Sequence, residues 1–168
     1  LPGGERAVRE PWRIAMALLH ATGSPDPWGL RLAADVPQAH QEVVAAQLAT
    51  GTGVVATTSA GRLFDGVAAL LGVRLQAGYE AQPAIELEHL ARRAVRSVRL
   101  RLDVEDGVMA VGPLVRDLVS ALRDGADVEA LALGFHEALG DATARLVVGR
   151  AAELGVGTVG LTGGVMQN

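Results

Sequence analysis

Residues 58–72, TSAGRLFDGVAALLG, constrain the fold more than any other stretch of the chain. At about 100° per residue, Leu63, Val67, Leu70 and Leu71 fall on one arc of a helical wheel. Ser59, Arg62, Asp65 and Ala69 fall on another. The apolar arc has to be buried against neighbouring elements, while the polar arc faces something else. A polar loop at 57–61 opens this helix, predicted over 62–71, and Gly72 stops it.

The remaining punctuation predicts more helices around it. Pro11 suits the first turn of a helix running through Trp12, Ala15, Leu18 and Leu19. The run TGSPDPWG at 22–29 breaks that helix. A second helix is predicted over 37–49, ended by Gly51 and Gly53, and another over 82–98. Residues 98–104, VRLRLDV, alternate apolar and polar as a half-buried strand does, with Asp106-Gly107 as a hairpin turn and 108–111 as the return strand. Pro113 opens a helix to Arg123, and Asp127 caps a long one through Leu131, Phe135, Leu139 and Leu146 to about Leu154. The last element, 156–161, reads as a short glycine-diluted strand buried in a sheet. The fold class is therefore α/β and helix-rich, with three strands.

Composition supports a globular chain: 49% of the 168 residues are hydrophobic and 20% charged. Aromatics are only 3%, so the core is built from small contacts between close-packed helices. A net charge of -4 gives no general attraction to nucleic acid or to an anionic membrane. There is no cysteine, which excludes disulfides, a thiolate nucleophile and Cys-type zinc sites, and which fits a cytoplasmic setting. No apolar run approaches the ~20 residues needed to span a bilayer. Both ends read as cuts, at Leu1-Pro2-Gly3-Gly4 and after Gly163-Gly164, so the chain is expected to be a piece of a longer one.

Four constellations carry candidate chemistry. Ser59, Arg62 and Asp65 stand at a helix start whose free N–H groups suit an anionic or hydroxyl-rich ligand. Asp65 would accept hydrogen bonds from ribose hydroxyls and Arg62 would contact phosphate in a fork. The plainer reading, a serine cap and an i,i+3 surface pair, is favoured by the spacing alone. Gly163 and Gly164, after the last strand, would let the backbone approach a ligand closely or would simply make a tight turn. Glu80 lies in a loop that could reach the same pocket, while Glu86 and Glu88 suit a solvated face, with Glu88 and Arg92 paired. The run Arg92, Arg93, Arg96, Arg99 and Arg101 could dock an acidic partner, although a salt-bridged solvated face is the favoured reading. His20, His40, His89 and His136 show no metal-ligand spacing. Neither a GxSxG elbow nor a GxxxxGK[ST] loop is present.

TSAGRLFDGVAALLG, followed by YEAQPAIELEHLA, closely resembles a segment of the HypF carbamoyltransferase family of nickel–iron hydrogenase maturation. The order extends outward, with LPGG…REPWRIA before it and GFHEAL and LTGGVMQN after it. The resemblance covers essentially the whole chain, residues 1–168, as part of a TsaD-like carbamoyl-transfer domain. It implies one lobe of an actin-like or Hsp70-like ATPase fold, with a nucleotide held between two lobes. Ser59, Gly61, Arg62 and Asp65 would line the nucleotide pocket, Gly163 and Gly164 would sit beside the nucleotide, and Asn168 belongs to the same terminal motif. The catalytic residues themselves are unassigned.

The activity implied is conversion of carbamoyl phosphate and ATP to carbamoyl adenylate, then transfer to the C-terminal cysteine of HypE for cyanide-ligand synthesis. A divalent metal is expected in the full-length family, with no ligand in this chain. Alone the chain is expected to turn nothing over. The family often carries Ser-Met-Gly where this chain has Ser59-Ala60-Gly61, and Tyr-Glu-Gly where it has Tyr79-Glu80-Ala81, so Ala81 stands at a backbone position that prefers glycine. An O-carbamoyltransferase of the same fold and a non-catalytic helical interaction module are the alternatives.

Overall fold

The computed structural model describes all residues except 24–26, 28 and 168. Helix α5, Ala60–Leu70, runs through its centre. Ser59 caps it with an extended backbone, its Oγ accepting from Arg62 N at 3.4 Å, and seven consecutive residues from Phe64 to Leu70 are buried. Burying side chains such as Val67 and Leu70 contributes about 1.5–3 kcal/mol each. Gly72, at φ +70°, makes the left-handed exit that the sequence predicts.

Four helices precede it: α1 Arg6–Arg9, α2 Trp12–Ala21, α3 Arg31–Asp35 and α4 Gln38–Thr50. Helix α2 packs on α5 and α4. Its approach depends on Gly66, where a Cβ would come within 2.6 Å of Leu18 Cδ1 and 2.9 Å of Ile14 Cγ2. Helices α1 and α3 were not anticipated from the sequence; both are too short to show a helical period. The predicted break after α2 is seen at Thr22 and Gly23, and its centre lies outside the described residues.

Helix α6 covers Gln82–Ala91, seven residues short of the predicted helix over 82–98. Leu87 and Ala91 are buried, but Val95 is fully exposed, so no burial rewards further turns past the two arginines. The chain then crosses α8, Val128–Leu154, where Val98 N donates to Ala130 O at 3.1 Å. Gly134 permits this, since a Cβ there would lie 2.0 Å from Val98 O.

The predicted strand over 98–104 is also shorter in fact. Leu100 and Leu102 are buried and Arg99 and Arg101 exposed, as the alternation required, but only β1, Asp103–Glu105, gains a partner. It pairs antiparallel with β2, Val108–Ala110, across Asp106-Gly107. Helix α7, Val111–Arg123, begins at once. Near the N-terminus an isolated bridge joins Pro2 to Val54.

Residues 156–161 form no strand, contrary to the sequence expectation. They are exposed throughout, and no strand among the described residues runs alongside to complete a ladder. A 3-10 turn, Gly164–Gln167, then returns to pack on α5, with Val165 against the core. Among the described residues no helix is long and apolar enough to cross a membrane.

Candidate functional site

Local sequence builds the head of α5. Thr57 Oγ1 accepts from Ser59 N at 3.2 Å, which fixes the approach of the loop. Ser59 then caps Arg62 N, so its hydroxyl is already engaged. Gly61 sits in the first turn with ordinary space around it.

One turn further in, Arg62 Nη1 lies 2.8 Å from Asp65 Oδ2. This is the i,i+3 pair that the spacing allows, but it is not a surface pair: the Asp65 side chain is only 3% exposed. Ala69, on the same arc, is fully buried, so the polar arc is covered by other elements rather than left to solvent. The ion pair is imperfect, because Arg62 Nη1 makes no aligned hydrogen bond despite the short distance. Burial therefore dominates the carboxyl and pushes its pKa up to about 6, against the pull of the Arg62 charge in the opposite direction.

Asp65 and Arg62 form one wall of a hollow of about 530 Å³, whose opposite wall is the loop of residues 77–81 with Glu80 in it. The two sequence-predicted features are thus brought together. The loop is held by its own network. Ala77 N donates to Arg9 O at 2.9 Å, and Gly78 N donates to Gln82 Oε1 at 2.7 Å. Gln82 Nε2 in turn donates to Glu86 Oε1 at 2.8 Å, and Arg74 grips Glu86 through a fork of 2.8 and 2.7 Å. Glu86 is accordingly a partner of Arg74 rather than part of a plain solvated face, and its carboxyl is held below the usual range chiefly by that fork. Glu88 does pair with Arg92 as expected. Ala81 closes the loop at φ +61°, the left-handed conformation that glycine adopts without cost.

Gly163, at φ +107°, and Gly164 belong to the turn that touches α5, and both are exposed with open space where a Cβ would project. Neither lines the hollow. Asn168 lies outside the described residues. The arginine run is largely engaged: Arg92 with Glu88, Arg93 with Glu129 at 2.8 Å, and Arg101 in a fork on Asp117. Among the described residues no group of three His, Asp or Glu could hold a metal ion, and His136 Nδ1 is taken up by Ala132 O at 2.7 Å.

Sequence reasoning missed Arg9, which lines the hollow from α1, and the Arg74–Glu86–Gln82 support. Arg9 was visible only as a letter of the REPWRIA run; Gln82 and Glu86 are an i,i+4 pair on α6, but Arg74 joins them from outside that helix and shares no helical face with them.

A helix-rich lobe with a charged, one-sided wall around a buried carboxyl is the class this fold and site define. The whole chain, residues 1–168, matches the family described as carbamoyltransferase, Kae1-like domain, second subdomain, and belongs to it. A carbamoyltransferase HypF of Rhizobium leguminosarum bv. viciae is 38% identical over 100% of this chain and 21% of its own length. A HypF homologue of Cupriavidus necator is 36% identical over 100% of this chain and 45% of its own. Among solved structures, full-length HypF in the phosphate- and nucleotide-bound form superposes with a TM-score of 0.85 at 27% identity, over 100% of this chain and 26% of that one. The HypF of T. kodakarensis gives 0.84 at 31%, over 98% and 23%. The chain thus spans less than half the length of these relatives, and its fold is that of a Kae1-like, TsaD-like lobe.

Proposed function

We propose that this chain supplies one wall of the adenylate site in a HypF-type carbamoyltransferase. The observation that carries the reading is Asp65, a buried carboxyl one turn into a capped helix, facing a hollow shared with Arg62 and Glu80. A buried carboxylate held by one misaligned ion pair is costly, and sugar hydroxyls supply the hydrogen bonds it lacks. Arg62 is placed to contact phosphate, Glu80 closes the sugar side, and the Ser59–Gly61 helix start and the Gly163–Gly164 turn offer backbone to the rest of the nucleotide. Asn168 is included on the sequence motif alone. The description of one structural relative as phosphate- and nucleotide-bound supports the ligand class.

In this reading the full-length protein hydrolyses carbamoyl phosphate to carbamate and phosphate, and a carbamate oxygen then attacks the α-phosphorus of ATP, so that pyrophosphate leaves and carbamoyl adenylate forms. The thiolate of HypE's C-terminal cysteine then attacks the carbamoyl carbon. A C–S bond forms and the bond to the AMP oxygen breaks, so AMP leaves with the electron pair. The thiocarbamate serves cyanide-ligand synthesis for the hydrogenase iron, in the cytoplasm. This chain holds the AMP portion in place; the rest of the cleft and any divalent metal site are assigned to the remainder of the longer protein, and the chain alone is without turnover.

The test is hydrogen exchange on the full-length parent with a non-hydrolysable ATP analogue. Amides of residues 59–65 and 77–82 are expected to slow on binding. Binding without protection of either segment would overturn the assignment of this wall.

A further inference from the structure

Arg9 ends helix α1 and is exposed. Its neighbours Arg6, on α1, and Arg13, on α2, both engage Glu10, at 2.9 and 2.5 Å, and Arg13 is buried against the Trp12 ring. Arg9 has no carboxylate partner among the described residues, yet its position is fixed: its carbonyl accepts from Ala77 N at 2.9 Å, which ties the end of α1 to the 77–81 loop. Arg9 lines the same hollow as Arg62, Asp65 and Glu80.

The charges of that hollow select a ligand class. Arg62 is already committed in part to Asp65, and Glu80 and Arg9 are not paired with each other. A neutral polyol would satisfy the carboxylates and leave Arg9 without a counter-charge. A bare anion would satisfy Arg9 and be repelled by Glu80 and by ionised Asp65. A ligand carrying both an anionic group and vicinal hydroxyls satisfies all four side chains, with the guanidinium fork on the anion and the carboxylates on the hydroxyls. We propose that Arg9 is a phosphate-binding residue of this hollow, acting with Arg62, and that it makes the site selective for a nucleoside phosphate over the free nucleoside. The inference rests on the reading of the hollow as a nucleotide wall.

The experiment compares AMP with adenosine on the full-length protein carrying Arg9→Ala, with binding read as hydrogen-exchange protection of residues 59–65. In the unaltered protein AMP should protect this segment at lower concentration than adenosine. Arg9→Ala should raise the AMP concentration needed by about tenfold or more, the usual loss for a charge-assisted contact, and leave that of adenosine within about twofold. Arg9→Lys, which keeps the charge without the fork, should fall between. Arg9→Gln carries the test if the alanine variant does not fold. An unchanged AMP-to-adenosine ratio in a folded variant overturns the role of Arg9 alone. If AMP gives the unaltered protein no protection at 59–65, the nucleotide reading of the hollow falls and this inference falls with it.

Discussion

Arg62 Nη1 and Asp65 Oδ2 stand 2.8 Å apart on one turn of α5, yet the carboxyl is harder to ionise than a free aspartate, with its pKa pushed up to about 6. An ordinary ion pair lowers a carboxyl pKa; here burial outweighs a single misaligned cation. A raised folded-state value means that the folded chain holds the proton more tightly than the unfolded one. The stability this lends is fully present below the ordinary value of 3.8 and is lost as pH rises through about 6. The loss is on the order of 3 kcal/mol at most. Denaturant unfolding of the chain at pH 4 to 7 should show this decline, and Asp65→Asn should flatten it. A variant with the same pH slope would contradict the burial argument. Nucleotide affinity should run the other way, weakening as pH falls below about 6 and Asp65 loses its charge.

Ala81 occupies φ +61° at the start of α6, where a Cβ is strained. Ala81→Gly should raise stability by about 1 kcal/mol, because relief of that strain exceeds the extra freedom glycine gives the unfolded chain. The midpoint of chemical denaturation measures it. A lower midpoint would show that the left-handed turn is not a source of strain.

Gly134 and Gly140 lie on the same helix and should respond in opposite directions. A Cβ at Gly134 meets Val98 O at 2.0 Å, whereas one at Gly140 meets nothing. Gly134→Ala has to push the 92–100 crossing off α8 and should cost at least about 2–3 kcal/mol. Gly140→Ala should gain roughly 0.5–1 kcal/mol from helix propensity. Thermal melting of the two variants checks the pair.

Glu86 anchors the 77–81 loop through Arg74 and Gln82. Glu86→Ala removes a partly exposed fork, so its stability cost should be modest, about 1 kcal/mol. Its effect on nucleotide affinity of the full-length protein should be larger than that cost suggests, because Glu80 loses its fixed position. Equal affinity in the variant would show that the network supports the fold alone.

What the sequence disclosed follows the range of the interactions involved. The Ser59 cap and the Gly72 stop are local chemistry, and both were legible. So was the alternation that buries Leu100 and Leu102, although the missing ladder partner was not, because pairing depends on a distant strand. The early end of α6 was hidden for a related reason: helical spacing continues past Ala91, but nothing in the fold covers Val95. Residues 156–161 have the composition of a buried strand and none of the described neighbours that would make them one. At the site, Ser59, Arg62, Asp65 and Glu80 were named from sequence. The wheel, however, placed Asp65 toward a polar exterior, whereas in the fold it is buried and faces a hollow whose other lining comes from α1 and the 77–81 loop. The same hollow brings in Arg9.

The central claim is that Asp65 holds the sugar of a nucleotide, and the dissociation constant of AMP for the full-length protein tests it most directly. Asp65→Ala should weaken binding by about ten- to a hundredfold, the range expected for loss of charge-assisted hydrogen bonds, with the melting temperature of the variant showing that it remains folded. A folded variant with unchanged AMP affinity at pH 7 would contradict the account.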